Sequence, residues 1–374
     1  MASSIDTSKI WTTLLTNRGY LAGLLVLDHT IKKHGSKYQL VVMLSGDAAT
    51  DPEMHATLEA AGIPLRIVDK IEPAPQNGKI NRGTWEKLAP WNFTEYERVT
   101  LLDSDQIALH NFDELMTVDM PKGWIAASHA CTCNPRKLAH YPKDWVPENC
   151  GFTAADTTTG QPQPLTPDSP HNHRLLNSGT VVLSPSEKDY NDLIHTMNTH
   201  PAVPDMIFYD QDLLPIVFDD KWLPLPYIYN GLKTLRGCHA DLWKDNDVKI
   251  LHYILAKPWQ SRTIDQDIVG IQHQMWWDEY HQLESNWKSA KNATRNQLWK
   301  TIVEPQVAPK ENAFKSLTSN LPWQANLLAG KQLLSNVQVP ASYRTSESVL
   351  LAVFFALLFG FFIGRGTKSS ASKG

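Results

Sequence analysis

Short runs of uniformly apolar residues alternate along this chain with stretches of helical period, a pattern that predicts strands layered with helices. Residues 10–16 (Ile-Trp-Thr-Thr-Leu-Leu-Thr) read as a first buried strand. Tyr20, Leu21, Leu24, Leu27 and Ile31 then recur at helical spacing and predict a helix over 17–35. A strand at 39–44, a helix at 54–61 stopped by Gly62, and strands at 65–68 and 99–102 continue the alternation. Between Ser128 and Arg174 the periodicity lapses into a Pro-, Thr-, Asn- and His-rich tract that predicts a long ordered loop. The pattern resumes with a strand at 179–184 and helices at 187–200, 210–217 and 266–287. Such an alternation is expected to build a parallel sheet covered by helices, with ligands gathering beyond the carboxyl ends of the strands.

The C-terminal part differs in kind. Pro305 to Thr345 is polar and reads as a linker, whereas 349–364 (VLLAVFFALLFGFFIG) carries no charge. At about 1.5 Å per residue this run covers roughly 24 Å, close enough to a hydrocarbon core of about 30 Å to predict a membrane span. Only ten residues follow Gly364, so the expected arrangement is a tail anchor holding the large domain on the cytosolic side. Arg365, Lys368 and Lys373 oppose that orientation by the usual charge bias, which a short tail obeys weakly. The expected organisation is therefore a domain over 1–300 with an insertion at 128–174, a linker over 301–347, and a single transmembrane helix over 348–364.

Composition narrows the possibilities. With 374 residues, 42% of them hydrophobic and 13 of them Trp, the chain can bury a large core. Lys and Arg number 35 against 39 Asp and Glu, and no long basic run interrupts the body, which argues against a nucleic-acid partner. Four cysteines, Cys131, Cys133, Cys150 and Cys238, are too few for a disulfide scaffold and fit a reducing compartment. The apolar patch from Tyr20 to Leu27 is too short and too closely flanked by charge for a secretory signal. The sequons at Asn92 and Asn292 are then expected to stay unmodified.

The strongest chemical signal is the apolar strand Val99 to Leu102 running into Asp103-Ser104-Asp105. Alternation in an extended strand points Asp103 and Asp105 the same way, where they offer oxygen ligands to a hard cation. Far downstream, Leu251-His252-Tyr253 and Lys257-Pro258-Trp259 supply an imidazole for the metal and an ammonium for phosphate oxygens. Asp103, Asp105 and His252 are thus the candidate metal ligands, and together the clusters suggest a sugar-nucleotide enzyme. Each feature also has a plainer reading: a capping turn for 103–105, a core histidine, a Lys-Pro turn, a strand-entry turn at Asn177-Ser178-Gly179, and solvated charges at Lys87 and Asp210. The 128–174 tract gathers His129, Cys131, Cys133, His140, Cys150, His171 and His173, a collection able to bind zinc. Its Cys-x-Cys spacing lacks the two-residue gap of a common zinc knuckle, and the reading preferred is an ordered lid over the site.

Taken in order, these motifs resemble the glycogenin-like and galactinol-synthase-like retaining glycosyltransferases of family 8, over roughly Trp11 to Trp259. The resemblance implies a GT-A (Rossmann-like) nucleotide-diphospho-sugar transferase fold with a nucleotide half and an acceptor half. It implies that Leu14, Leu15, Thr16 and Asn17 line the uracil, with Tyr20 against it. Lys87 would help hold the donor, while Asp103 and Asp105 would ligate manganese and touch the ribose around Ser104. Asn177, Ser178 and Gly179 would lie beside the donor sugar, and Asp210 with Gln211 near the anomeric carbon. His252 and Lys257 would close on the diphosphate. The implied reaction moves a hexosyl group, glucose by default, from a UDP-sugar to an acceptor not written in the sequence; the anchor hints at one associated with a membrane.

Departures from the pattern bear on that reading. The segment from His252 to Lys257 has no glycine where the family has one, and it is a residue shorter than in glycogenin. No tyrosine stands near Gly237, so self-glucosylation is not expected and a separate acceptor is. Ile207 replaces a second acceptor-side aspartate, with Asp205 nearby. Two other functions compete: a haloacid-dehalogenase-type phosphohydrolase using the DxD with Asp219-Asp220, and a non-catalytic membrane-tethered sugar-nucleotide-binding protein.

Overall fold

The computed structural model describes residues 5–262, 268–289 and 292–309. The N-terminal half follows the alternation closely: β1 (Lys9–Leu15), α1 (Leu21–Lys33), β2 (Gln39–Leu44), α2 (Pro52–Ala61), β3 (Leu65–Ile67) and β4 (Arg98–Leu102). β1 pairs in parallel with β2 on one side and with β4 on the other. The second helix begins two residues before its apolar pattern because Asp51 caps it, accepting from the backbone N–H groups of Glu53 and Met54, with Pro52 in its first turn. Gly62, at φ 68°, ends it in the left-handed conformation.

Beyond β4 come β5 (Gln106–Ala108), β6 (Ile125–His129), β7 (Leu176–Leu183), α3 (Glu187–Thr199), α4 (Asp210–Val217) and β8 (Trp222–Pro224). The main sheet has seven strands in the order β3-β2-β1-β4-β7-β6-β8, and it is mixed rather than parallel. β7 lies antiparallel between β4 and β6, while β6 and β8 pair in parallel. An apolar run buried on both faces, as in Thr180-Val181-Val182-Leu183, looks alike in either direction, so the pattern does not reveal the reversal. The remaining elements are β9 (Gly231–Leu232), α5 (Leu235–Cys238), β10 (Ile250–His252), α6 (Ile268–Ser289) and α7 (Ala293–Leu298). A small second sheet of order β5-β10-β9 stands beside the first, with β10 antiparallel to β5.

Two apolar cores flank the main sheet. One packs α1 and the aromatic face of α6 against Trp11 and Leu15; the other packs α3 and α4 against Ile10, Val99 and Leu101. The 128–174 tract begins inside β6 and is built of loop with short 3-10 turns at Pro147–Asn149, Gly151–Ala154 and His171–Arg174. After α7, a π turn (Trp299–Val303) buries Trp299, Ile302 and Val303, so packed structure runs to Ala308, past the boundary at 301. The rest of the expected linker and the expected span at 348–364 lie outside the described residues. No described helix is long and apolar enough to cross a membrane.

Candidate active site

β4 delivers the acidic pair and two other strands hold it in place. The buried run Val99 to Leu102 ends, and the chain turns through Asp103-Ser104-Asp105 into β5. The Asp103 N–H donates to the Gly179 carbonyl of β7 at 2.8 Å, and the Tyr253 N–H donates to the Asp105 carbonyl at 2.9 Å. The β10–β5 register sets His252 opposite Gln106, next to Asp105. His252 Nε2 thus lies 3.2 Å from Asp105 Oδ1 and 3.6 Å from Asp103 Oδ2. One oxygen from each carboxylate and one imidazole nitrogen all fall within 4.8 Å of one another, a set able to hold a metal ion.

The imidazole is oriented for that task. His252 Nδ1 sits 2.8 Å from the side-chain oxygen of Asn230, a fully buried residue whose amide nitrogen donates to Asn177 Oδ1 at 2.8 Å. Nδ1 therefore donates to Asn230, which fixes the ring and leaves Nε2 directed at the two carboxylates. Gly179 is required beside it, since a Cβ there would stand 2.4 Å from His252 Cε1.

Two lysines flank the acidic pair. Lys87 Nζ lies 2.6 Å from Asp103 Oδ1 and 3.7 Å from Asp210 Oδ2. Burial alone would lower its pKa, but Asp103 and Asp210 raise it on balance, so the ammonium stays charged. Lys257 Nζ pairs with Asp105 and donates to the Tyr253 carbonyl at 2.9 Å. Burial would raise Asp105, but His252 and Lys257 hold it well below the usual carboxylate range. Asp210, buried at the start of α4 and hydrogen-bonded by Ser178, is shifted the other way: burial raises it against the pull of Lys87. Gln211, the next residue, accepts from Asn177 Nδ2 at 2.8 Å.

These groups line two adjoining cavities that share Lys87, Asp103, Asp105 and Lys257. The smaller, of 270 Å³, is also lined by Leu14, Thr16, Tyr20 and Ser104. The larger, of 340 Å³, takes in Asn177, Ser178, Asp210, Gln211 and His252, with Arg136, Tyr141 and Trp145 of the insertion forming another wall.

Two residues expected to line the nucleotide site are placed elsewhere. Strand alternation turns Leu14 to the cavity and Leu15 into the core, where it is 1% exposed. Asn17 accepts from the Gly19 N–H at 2.9 Å and caps the short turn that leads to Tyr20. Leu255 occupies the stretch that lacks the family's glycine, and it adopts φ 64°, the left-handed conformation a glycine takes without cost. Asp219 and Asp220 pair with Arg174 Nη1 at 2.8 and 2.7 Å, away from Asp103, so they do not supply a phosphohydrolase's late acidic pair. Sequence reasoning missed Asn230 and Gln106, whose Nε2 donates to the Gly179 carbonyl at 2.9 Å. Asn230-Gly231 reads locally as a turn, and no nearby residue betrays its partner in β10.

The acidic turn at the carboxyl end of β4, a facing imidazole and two flanking ammonium groups on an α/β sheet define a nucleotide-sugar transferase class of site. The family model for Glycosyl transferase family 8 matches residues 12–263, about two thirds of the chain, and the chain belongs to that family. It is a glycosyltransferase. Galactinol synthase 1 of Ajuga reptans is 27% identical over 303 residues, covering 77% of this chain and 85% of that protein. Galactinol synthase 2 of Solanum lycopersicum is 28% identical over 302 residues, covering 77% and 84%. Among solved structures, the WbbM bifunctional glycosyltransferase overlays with a TM-score of 0.53 at 16% identity, over 80% of this chain and 52% of that one, a likeness of fold.

Proposed function

We propose that this glycosyltransferase moves a hexosyl group with retention of configuration from a UDP-sugar to a separate acceptor, with manganese held by Asp103, Asp105 and His252. The observation that carries the reading is the convergence of those three side chains, from positions about 150 residues apart, between two half-buried ammonium groups. Two carboxylates with a neutral imidazole form a mixed oxygen and nitrogen donor set that suits manganese better than magnesium. Bound there, the ion supplies Lewis-acid stabilisation of a departing diphosphate.

The chain's own residues divide the remaining work between the cavities. Tyr20, Thr16 and Leu14 give the smaller cavity an aromatic edge and an apolar wall for a nucleobase. Lys257 places an ammonium beside the acidic turn, where charge develops on the leaving phosphate. In the larger cavity, Asn177 and Gln211 offer amide groups to sugar hydroxyls. Asp210 provides a weakly solvated carboxylate, suited to face an oxocarbenium-like centre or to attack it transiently. Lys87, held between Asp103 and Asp210, ties the carboxylates of the two functions together. Exposed Ile207 leaves the larger cavity without a second acidic wall, and Asp205 is engaged outside with Lys79 at 2.7 Å.

Incubation of the protein with Mn²⁺ and a panel of UDP-sugars tests the reading. UDP-glucose is the default donor with UDP-galactose next, and the names of the relatives put galactinol among the products to seek. Donor-dependent UDP release is expected, with Asp105→Asn lowering kcat/KM by about 100-fold or more. Full turnover by Asp105→Asn would remove the metal role, and phosphate release from simple phosphomonoesters would point to hydrolase chemistry instead.

A further inference from the structure

We propose that Cys131, Cys133, Cys150 and His239 form a structural zinc site that fastens the 128–174 insertion to the body of the domain. One sulfur from each cysteine and one nitrogen of His239 lie within 4.8 Å of one another, and Cys133 Sγ is 3.0 Å from His239 Nε2. With Zn–S near 2.3 Å and Zn–N near 2.0 Å, a tetrahedral shell spaces its ligands about 3.5 to 3.8 Å apart. Small side-chain adjustments therefore close the shell. Three thiols and one imidazole form a closed structural donor set that leaves no open position for catalysis.

Burial and connectivity support the assignment. Cys150 is fully buried and Cys133 is 6% exposed, and all four cysteines of the chain are free thiols. Cys238, the neighbour of His239 at the end of α5, also reaches the Cys131 and Cys133 thiols but stands outside the set of four. The ligands come from two separate regions. Cys131 and Cys133 follow β6, Cys150 lies farther along the insertion, and His239 belongs to the chain beyond the main sheet. The insertion's own histidines, His129, His140, His171 and His173, stand outside the set.

The site also has a job in the architecture. Cys131 lines the larger cavity, as do Arg136, Tyr141 and Trp145 of the same loop. A loop this poor in regular structure gains little from backbone ladders, and a metal crosslink to α5 would hold the wall it contributes. The acidic turn and the ion proposed for it form a separate centre, so the two sites are distinguishable by mutation.

Metal analysis of the full chain, purified under reducing conditions in chelator-cleaned buffer, tests the proposal. One zinc per chain is expected; Cys133→Ser should lower it by about tenfold or more, while His239→Cys should retain it. A double variant, Asp103→Asn with Asp105→Asn, should keep the zinc. Cobalt-exchanged wild type should show a thiolate-to-metal charge-transfer band and the intense visible bands of a tetrahedral ion, a readout that stands even where Cys133→Ser does not fold. Absence of zinc from the reduced, folded wild type would overturn the site. So would zinc lost with the aspartates but kept in Cys133→Ser, or a Cys131–Cys150 disulfide in the purified protein.

Discussion

Asn230 shows how much of the site rests on one buried amide. It accepts from His252 Nδ1 and donates to Asn177, so it sets both the orientation of the imidazole and the direction of the Asn177 amide. Asn230→Ala is expected to weaken Mn²⁺ binding by about 10-fold or more with the fold retained. A calorimetric titration showing unchanged affinity would sink the orienting role. Asp103 and Asp105 were legible because strand and carboxylates are contiguous in sequence, and Lys257 because it follows His252 closely. Asn230 and Gln106 were not, since a buried hydrogen bond across a sheet leaves no local trace. Leu255 lies between the two cases. The missing glycine was visible, but only the backbone shows that the position keeps φ 64° without one.

Elements bring these residues together through close packing, and α1 is the sharpest case. A Cβ on Gly23 would stand 2.6 Å from the Ser104 carbonyl and 2.7 Å from the Trp259 ring. Helix propensity alone would have Gly23→Ala stabilise by about 1 kcal/mol. Contact with backbone that cannot yield reverses the sign, and a loss of about 1–3 kcal/mol is expected, together with reduced transfer because the acidic turn is pushed aside. Thermal melting and UDP release measure both, and a stabilised, fully active variant would refute the packing argument. Trp299, fully buried with its ring centroid 5.3 Å from Tyr280 and 5.4 Å from Trp287, anchors the π turn that follows α7. Trp299→Ala should cost about 3–5 kcal/mol in denaturant unfolding; a loss under about 1 kcal/mol would mean that this turn adds little to the fold. Most helices and the first four strands were readable from period. The strands after Asp105 were harder, because β5, β8, β9 and β10 span only two or three residues each, too few for an alternation to register.

At the scale of the whole molecule, stability should carry a pH signature from Asp28. This carboxylate lies in α1, 6% exposed, 2.7 Å from Lys32 Nζ, and burial raises its pKa from 3.8 to about 6 despite the lysine. The folded state therefore binds its proton more tightly than the unfolded chain. Stability falls as pH rises from about 4 to 6, and above that the full penalty is present, on the order of 3 kcal/mol. Asp28→Asn is expected to stabilise the protein by about that amount at pH 7 and by almost nothing near pH 4, with denaturant unfolding at both values as the check. A gap equal at the two pH values would rule out the titration.

By itself, the sequence determined the chemistry on offer and the local elements that bear it. An apolar strand must end in its two aspartates, a proline-led helix must start at its cap, and the spacing from His252 to Trp259 is covalent. Tertiary structure decided direction, register and company. It reversed β7, turned Leu14 rather than Leu15 to the cavity, and supplied Asn230 to His252 and His239 to three cysteines. Those choices depend on contacts between residues far apart in the chain, whose free energy is settled by mutual burial when the layers close rather than by any local preference.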